Sequence, residues 1–429
     1  MGIYLTHIKV NLLRPDDSMA TQNRGCQMYE PAGRQSPYLA FLWPAFAAAA
    51  AGEMAAVAAR HFADFAVGPP DSKAPSEPQW TTPHAMALEL ETVRLRDFTT
   101  DHNSAAALIC APLALHGAAL ADFAPGHSLV ATLRDAGLRR LFVTDWRSAT
   151  AEMRFLGIDD YLADLNVLVD EIGGSVDLIG LCQGGWMALL YAARFPTKVR
   201  KLVLAGAPID IQAGSSALSA LAEASPLPMF RELVRLGDGC VPGRKVLKFW
   251  GPESVDAEGV RQLLQTAEPA GSAVFARLEA LFQEWYSWTL DLPGHYFLEV
   301  VEKLYKRNEL ATDALTALGQ PVKLAAVTVP MFLLAARDDE LVAPAQLFAA
   351  EYLVGTPACH IRKALAPCRH VGLFMGKTIL DETWPGIGRW LGEPTLDAPR
   401  HVRSHQSKVS NNLRARSRST RPGALRNAN

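Results

Sequence analysis

The feature that most constrains the fold is an alternation of short apolar runs with helical patterns, which begins near residue 91. Helical patterns at 126–137, 158–172 and 185–195 separate several of these runs. Strands that alternate with helices form right-handed βαβ units in a largely parallel sheet. Continuous apolarity fits strands buried on both faces. The sequence therefore predicts an α/β fold with a mostly parallel, doubly wound sheet. The runs are "ALICAPLAL", "RRLFVTDW", "SVDLIGLC", "RKLVLAG" and "VPMFLLAAR".

A long segment, residues 211–320, interrupts this alternation. It contains no comparable strand runs, and its pattern predicts helices rich in aromatic residues. The strand pattern resumes at 325–336. We therefore predict a catalytic domain over 91–392, with a helical cap inserted at about 211–320. Most of the aromatic side chains in this insertion are expected to form its own core.

The flanking segments differ in composition from this domain. Residues 1–37 are polar and irregular and are predicted to be disordered. Residues 38–90 read as an Ala-rich helix followed by a Pro-rich linker. The uninterrupted apolar part of that helix ends at Glu53 and contains Pro44, so it is too short to span a bilayer. Residues 393–429 lack apolar periodicity and are predicted to be a disordered basic tail.

The charge distribution and the cysteine content limit the functional classes that fit this sequence. The net charge is −2, but seven Lys/Arg and no Asp/Glu lie between His401 and Asn429. Without interleaved aromatic residues, this tail favours a solvated segment over a nucleic-acid-binding one. Lys9 and Arg14 interrupt the N-terminus where a signal peptide needs an apolar core, and six scattered cysteines suit a reducing cytosol. A cytoplasmic protein is therefore expected.

Metal and cofactor motifs are not found in the sequence. It has no His-Glu-x-x-His, no paired cysteines at ligand spacing and no Ca²⁺-binding loop. No glycine-rich phosphate-binding motif follows a predicted strand. We therefore expect neither a metal nor a cofactor.

A cysteine occupies the turn between a predicted strand and a predicted helix, in "VDLIGLCQGGWMALLYAARFPTKVRKLVLAGAPID" (176–210). A nucleophile at such a turn needs strained backbone and small neighbours two residues away on each side. Gly180 and Gly184 meet this requirement for Cys182. The start of the following helix favours negative charge on a thiol. Cys182 is therefore predicted to be a nucleophile rather than a buried structural thiol.

An acid and a base follow this cysteine in the order expected of a catalytic triad. "VPMFLLAARDDELVAP" predicts a strand that runs into Asp338 and Asp339, and "HIRKALAPCRHVGLFMG" predicts a strand followed by a loop with His370. The order Cys182, Asp339, His370 is that of α/β-hydrolases. His370 would take the proton of Cys182, and Asp339 would hold the imidazole tautomer. Asp338 remains the competing choice for the acid.

The oxyanion hole and the substrate pocket have further candidates. The backbone N–H of Gln183 would supply one oxyanion donor, because it begins the helix after the nucleophile. A second donor is expected from the loop "APLALHGA", at Ala114. His116 in the same loop and Trp186 in the helix are candidate pocket residues. A lone loop histidine is more often a surface or packing residue, and that alternative stays open for His116.

Residues 91–392 resemble two related groups, the intracellular polyhydroxyalkanoate depolymerases and the polyhydroxyalkanoate synthases. Both groups are α/β-hydrolase folds with a catalytic cysteine. The double glycine of "GLCQGGW" resembles the synthase motif, and "GHYFLEVVEKLYKRNEL" is similar in both groups. The resemblance implies the triad Cys182, Asp339 and His370 under either name. Depolymerase-like stretches are "APLALHGAAL", "LFVTDWRSA", "LAGAPIDI" and "APCRHVGLFMG".

The resemblance implies an enzyme that works through an acyl-cysteine intermediate. The main prediction is a depolymerase that cleaves 3-hydroxyacyl ester bonds of polyhydroxybutyrate-like polymers. The alternatives are a synthase-like acyltransferase that uses 3-hydroxyacyl-CoA, a hydrolase of small esters, and a non-catalytic granule-associated protein. The implied partners are a hydroxyalkanoate polymer or oligomer and 3-hydroxyacyl-CoA, with granule association and a homodimer left open.

Overall fold

The computed structural model describes residues 75–250 and 255–394 of the 429-residue chain. The chain divides into two compact units, Met1–Asp64 and Phe65–Asn429, and every described residue belongs to the second. The segment at 1–37, the Ala-rich helix and nearly all of the basic tail lie outside the described residues. The predictions of disorder and of a helix there stay predictions.

An eight-stranded sheet forms the centre of the described unit. Its spatial order is β1-β2-β4-β3-β5-β6-β7-β8, with β1 and β2 antiparallel to their neighbours and the other strands parallel. The predicted mostly parallel, doubly wound sheet is therefore confirmed. The strands are β1 (Ala85–Glu89), β2 (Val93–Asp97), β3 (Ala106–Cys110), β4 (Arg140–Trp146), β5 (Val176–Leu181), β6 (Val199–Ala205), β7 (Met331–Ala336) and β8 (Ile361–Ala366).

The sheet begins earlier than the sequence analysis predicted. Strand β1 lies inside the range 38–90 that was expected to hold only a helix and a linker. Both early strands lie at the antiparallel side of the sheet. Strand β1, "AMALE", is short and exposed along nearly its whole length, and β2, "VRLRD", alternates polar and apolar residues, so neither resembles the long buried runs of the parallel strands. The boundary at residue 91 was therefore wrong.

Three helices connect the central strands and cover the sheet. Helix α2 has the predicted bounds, and its buried face includes Tyr161, Leu165 and Leu168. Helix α3 begins two residues earlier than predicted, directly after Cys182. This earlier start puts the first N–H of the helix beside the candidate nucleophile. These helices are α1 (Leu129–Asp135), α2 (Ile158–Ile172) and α3 (Gln183–Arg194).

Between β6 and β7 the chain forms the insertion, which is mainly helical where it is described. Two small antiparallel pairs of two-residue strands accompany its helices. The helices lie where the sequence predicted them, and the role of a cap stays a prediction. They are α4 (Ala217–Ala224), α5 (Leu227–Leu236), α6 (Gly243–Trp250), α7 (Ala257–Leu264), α8 (Ala273–Ser287) and α9 (Gly294–Glu299), which continues as a π-helix over Val300–Lys306.

Buried strands hold the carboxyl edge of the sheet in place. Val143, Ile179 and Val203 are fully buried, and burying one such side chain contributes roughly 1.5–3 kcal/mol. The three candidate catalytic residues follow β5, β7 and β8 at this edge. The remaining helices are α10 (Pro344–Phe348) and α11 (Ala350–Leu353) after β7, and α12 (Gly372–Met375), α13 (Lys377–Glu382) and α14 (Trp384–Gly392) after β8.

Candidate active site

Cys182 occupies a strained turn between β5 and α3. Its φ of 49° and ψ of −122° lie in a region that residues other than glycine rarely adopt. Two backbone hydrogen bonds hold this turn. The N–H of Cys182 donates to the carbonyl of Ala205 at 2.9 Å, and the N–H of Gly185 donates to the carbonyl of Cys182 at 2.9 Å. The turn is therefore the elbow that the sequence predicted.

The neighbouring glycines are needed because backbone passes very close to them. A Cβ on Gly180 would lie 2.5 Å from the Cα of Gly185, and a Cβ on Gly184 would lie 2.2 Å from the carbonyl oxygen of Cys110. Backbone atoms cannot move aside as a flexible side chain can. The packing of α3 against β3 and β5 therefore excludes side chains at both positions.

Replacing Gly184 with alanine should destabilise the protein. The added methyl group would collide with the backbone of Cys110 and push α3 away from the sheet. We expect a loss of about 1–3 kcal/mol in the free energy of unfolding, measured by urea denaturation. Gly386→Ala is the matched control, because Gly386 lies exposed within α14 and a Cβ there has no heavy atom within 4 Å. That control should gain about 0.5–1 kcal/mol through helix propensity. Equal stability of the two variants would contradict the steric argument.

Asp339 and His370 form a buried pair at the ends of β7 and β8. The Oδ2 atom of Asp339 lies 2.8 Å from Nδ1 of His370, and both side chains are almost fully buried. The other carboxylate oxygen accepts hydrogen bonds from the backbone N–H groups of Leu341 at 2.9 Å and Val342 at 2.8 Å. These bonds fix the carboxylate, so it can hold the imidazole in one orientation with Nε2 pointing away from it.

The competing acid, Asp338, lies differently. Its side chain is exposed to solvent, and its backbone N–H donates to the carbonyl of Cys368 at 3.1 Å. The structure therefore brings Asp339, and not Asp338, into contact with His370. A catalytic role for this pair remains a prediction.

The second imidazole nitrogen of His370 is oriented for proton transfer. Its Nε2 atom is buried, and the side chain of Cys182 interacts with the imidazole through charge and hydrogen bonding. Burial opposes the charged form, but attraction to Cys182 and the hydrogen bond with Asp339 raise the pKa of His370 well above its usual value. The imidazolium form of His370 is therefore favoured below that pKa, and it is lost as the pH rises through it.

The loop after β3 is held rigidly next to the elbow. The N–H of Ala111 donates to Oγ1 of Thr144 at 3.0 Å, and the carbonyl of Ala111 accepts from the indole of Trp146 at 2.8 Å. Ala114 in this loop and Gln183 in α3 both line the cavity that contains Cys182. The first N–H groups of a helix have no acceptor within the helix, so the N–H of Gln183 can bind an oxyanion. The pair of oxyanion donors stays a prediction.

A cavity of about 860 Å³ lies between the carboxyl edge of the sheet and the insertion. Cys182 and His370 line it, while Glu340 and Arg369, 3.0 Å apart as an ion pair, form part of its wall. Most other lining side chains are apolar, so the cavity suits an acyl group better than a charged substrate. Apolar lining residues include Leu218, Leu221, Leu263, Phe282, Val300 and Phe374.

The two candidate pocket residues have different outcomes. His116 lines the cavity, with its ring centroid 4.5 Å from that of Trp285 and 5.2 Å from that of Tyr286. Burial lowers the pKa of His116 to about 4, so the ring is neutral at pH 7. Trp186 is fully buried and, within the described part of the chain, does not line the cavity. The prediction for Trp186 was wrong, because its position on α3 faces the core.

Sequence reasoning missed Tyr305, which lies in the π-helix and lines the cavity. Its hydroxyl oxygen accepts a hydrogen bond from Nε2 of Gln183 at 2.6 Å. The two residues are 122 positions apart in the chain. The stretch "GHYFLEVVEKLYKRNEL" carried part of the family resemblance, but no spacing in it indicates a contact with the elbow.

Within 75–250 and 255–394, no group of three or more His, Cys, Asp or Glu side chains could hold a metal ion. None of the helices described in these ranges is long and apolar enough to cross a membrane.

A family profile that matches the sequence agrees with this fold. Residues 113–381, more than half of the chain, match the sequence profile of the alpha/beta hydrolase family. A monoacylglycerol lipase of Paleococcus ferrophilus is similar to 70% of this chain and 98% of its own, at 14% identity and a TM-score of 0.46. A putative aryl esterase of Burkholderia cenocepacia is similar to 72% of this chain and 99% of its own, at 14% identity and a TM-score of 0.45.

Curated relatives carry one name, poly(3-hydroxyalkanoate) polymerase subunit PhaC. The protein of Synechocystis sp. is 29% identical over 292 residues, which is 64% of this chain and 74% of that protein. The protein of Allochromatium vinosum is 27% identical over 265 residues, or 59% and 71%. That of Cupriavidus necator is 24% identical over 324 residues, or 68% and 51%. The predicted resemblance to the synthase group is therefore confirmed.

Proposed function

This chain belongs to the alpha/beta hydrolase family, and from that premise we propose that it is a cysteine-dependent acyltransferase. It would join 3-hydroxyacyl units, taken from 3-hydroxyacyl-CoA, into a polyester. The observation that carries the proposal is a cysteine at the elbow, Cys182, that opens on a largely apolar cavity. The sequence motifs favoured a depolymerase, whereas the curated relatives are polymerases, which favours the alternative.

The first half-reaction would load the acyl group onto Cys182. The thiol proton passes to Nε2 of His370, and the thiolate attacks the thioester carbonyl of 3-hydroxyacyl-CoA. The backbone N–H groups of Gln183 and Ala114 stabilise the negative oxygen of the tetrahedral intermediate. The intermediate collapses, the bond to the coenzyme A sulfur breaks, and that sulfur takes the proton from His370. Acyl-Cys182 and free coenzyme A result.

The second half-reaction would extend the polymer. The terminal hydroxyl of a growing chain gives its proton to His370 while its oxygen attacks the carbonyl of acyl-Cys182. The carbon–sulfur bond then breaks, and the leaving thiolate of Cys182 regains its proton from His370. Asp339 stabilises the imidazolium in both steps through its 2.8 Å contact with Nδ1. One new ester bond forms for each coenzyme A released.

A depolymerase remains the second candidate function. The stretch "APCRHVGLFMG", which carries His370, resembles the depolymerase ending. In that reaction a polymer ester would acylate Cys182, and water would replace the chain hydroxyl as the attacking group. A hydroxyalkanoate polymer or oligomer is the partner under both functions. Association with granules in the cytoplasm and a homodimer are parts of this proposal that need their own tests.

Incubation with 3-hydroxybutyryl-CoA and, separately, with amorphous polyhydroxybutyrate granules should distinguish the two functions. We expect the wild type to release free coenzyme A and form insoluble polyester, and Cys182→Ala to do neither. The measurements are thiol release and the mass of product extracted into organic solvent. Soluble 3-hydroxybutyrate released from granules, with no thiol released from the thioester, would instead favour the depolymerase.

A further inference from the structure

The side chain of Gln183 is hydrogen-bonded at both ends of its amide. Its Oε1 atom accepts from the indole N–H of Trp186 at 2.7 Å, and its Nε2 atom donates to the hydroxyl of Tyr305 at 2.6 Å. An indole N–H can only donate a hydrogen bond. Trp186 therefore requires the oxygen of the Gln183 amide on its side, and this leaves the NH₂ group facing Tyr305.

This arrangement determines what Tyr305 can do. Its oxygen already accepts a hydrogen bond from Gln183, so its own O–H proton must point in another direction. Tyr305 and Gln183 both line the cavity, and Gln183 directly follows Cys182 in the chain. An O–H donor of restricted direction therefore lies at the wall of the cavity beside the candidate nucleophile.

The environment of Tyr305 suits a hydrogen-bond donor rather than a base. Burial and the nearby Cys182 raise the pKa of Tyr305, so the hydroxyl keeps its proton at neutral pH. The residue lies in the π-helix Val300–Lys306, and such turns occur often at functional sites. The π-helix and the hydrogen bond to Gln183 are two independent observations that point to the same side chain.

We propose that Tyr305 is a catalytic residue that donates a hydrogen bond to the carbonyl oxygen of the acyl group on Cys182. It would act beside the backbone N–H of Gln183 as negative charge develops on that oxygen. Trp186 and the Gln183 side chain are positioning residues, because they direct the hydroxyl proton. No proton is transferred from Tyr305. The inference rests on the proposed function only for the identity of the acyl group.

Tyr305→Phe tests the donor directly, since it removes the hydroxyl and keeps the ring. A donor used in the transition state affects kcat rather than KM. We expect the rate of the p-nitrophenolate burst with p-nitrophenyl butyrate to fall about 10- to 100-fold. This loss is no larger than the one caused by removing a single donor of an oxyanion hole. Tyr191→Phe is the matched control, because Tyr191 is a buried tyrosine of α3 whose hydroxyl donates to Asn166 at 3.2 Å outside the cavity. That variant should keep the burst rate of the wild type within twofold.

Gln183→Glu tests the direction of the hydroxyl. A carboxylate accepts from Trp186 and from Tyr305 alike, so it would draw the Tyr305 proton away from the substrate. The same change in the Tyr305→Phe background measures the effect of the added charge alone. Gln183→Glu should lower the burst rate in both backgrounds. We expect its fold reduction to be at least five times larger when Tyr305 is present than in the Tyr305→Phe background. Equal factors in the two backgrounds would overturn the positioning roles.

The p-nitrophenyl ester keeps this inference separate from the proposed function. A burst that depends on Tyr305, without turnover of 3-hydroxybutyryl-CoA, would support the donor and contradict the proposed acyltransferase. A Tyr305→Phe variant as fast as Tyr191→Phe would overturn the donor whatever the natural substrate. If the wild type gave no burst with the ester and no reaction with the thioester, both the donor and the nucleophile would be rejected.

Discussion

Replacing Cys182 with alanine should abolish acyl transfer, with a fall in kcat of about 10⁴-fold or more. No other side chain at the elbow can form the covalent intermediate, because the other residues of 180–185 are glycine, leucine and glutamine. The measurement is the burst of p-nitrophenolate, followed by mass spectrometry of the peptide that carries Cys182. An acyl adduct on that peptide is expected in the wild type and should be missing in Cys182→Ala.

Cys359→Ala provides the matched control for this loss. Cys359 is a free, exposed thiol, and it precedes β8 rather than a catalytic turn. We expect this variant to retain full activity. An adduct that persists in Cys182→Ala, or a large loss in Cys359→Ala, would show that the reactive cysteine is not at the elbow.

The Cys182→Ala variant also allows a spectroscopic test of the contact between Cys182 and His370. Attraction to Cys182 helps to raise the pKa of His370, whereas burial lowers it. Alanine removes that attraction and leaves the burial, so the pKa of His370 should fall in Cys182→Ala. The imidazolium would then be lost at a lower pH than in the wild type. An NMR titration of the His370 ring protons in both proteins measures the difference, and an unchanged pKa would mean that Cys182 and the ring do not interact.

Replacing Asp339 with asparagine should lower kcat by about 10³- to 10⁴-fold. An amide can donate a hydrogen bond to Nδ1 and so favour the wrong tautomer of His370, and it carries no charge to stabilise the imidazolium. The fold should survive, because asparagine has nearly the same shape and its oxygen can still accept from Leu341 and Val342. Steady-state kinetics with 3-hydroxybutyryl-CoA and with p-nitrophenyl butyrate measure the effect.

Asp338→Asn is the control for this experiment, and it also decides between the two candidate acids. The side chain of Asp338 is exposed and adjoins the same loop, so both variants make the same chemical change one residue apart. We expect Asp338→Asn to stay within twofold of the wild type. A large loss in Asp338→Asn together with an active Asp339→Asn would reverse the assignment of the acid.

The parts of the site that the sequence predicted are encoded in short segments. The elbow is a single strand, turn and helix, and close packing requires its glycines next to Cys182. The positions of Asp339 and His370 follow from two buried strands, since side chains after parallel strands meet at one edge of the sheet. The sequence alone therefore determined the fold class, the central strands and the order of the three candidate catalytic residues.

The tertiary structure decided everything that depends on which distant residues touch. It brought Asp339 rather than Asp338 to His370, because the direction of each side chain is set by the turn after β7. It removed Trp186 from the pocket and brought Tyr305 to Gln183 across 122 residues. It also added the antiparallel strand β1 at the sheet edge. Neighbouring residues determine local backbone structure, whereas contacts between the insertion and the sheet depend on how the whole chain packs, and no short pattern records that.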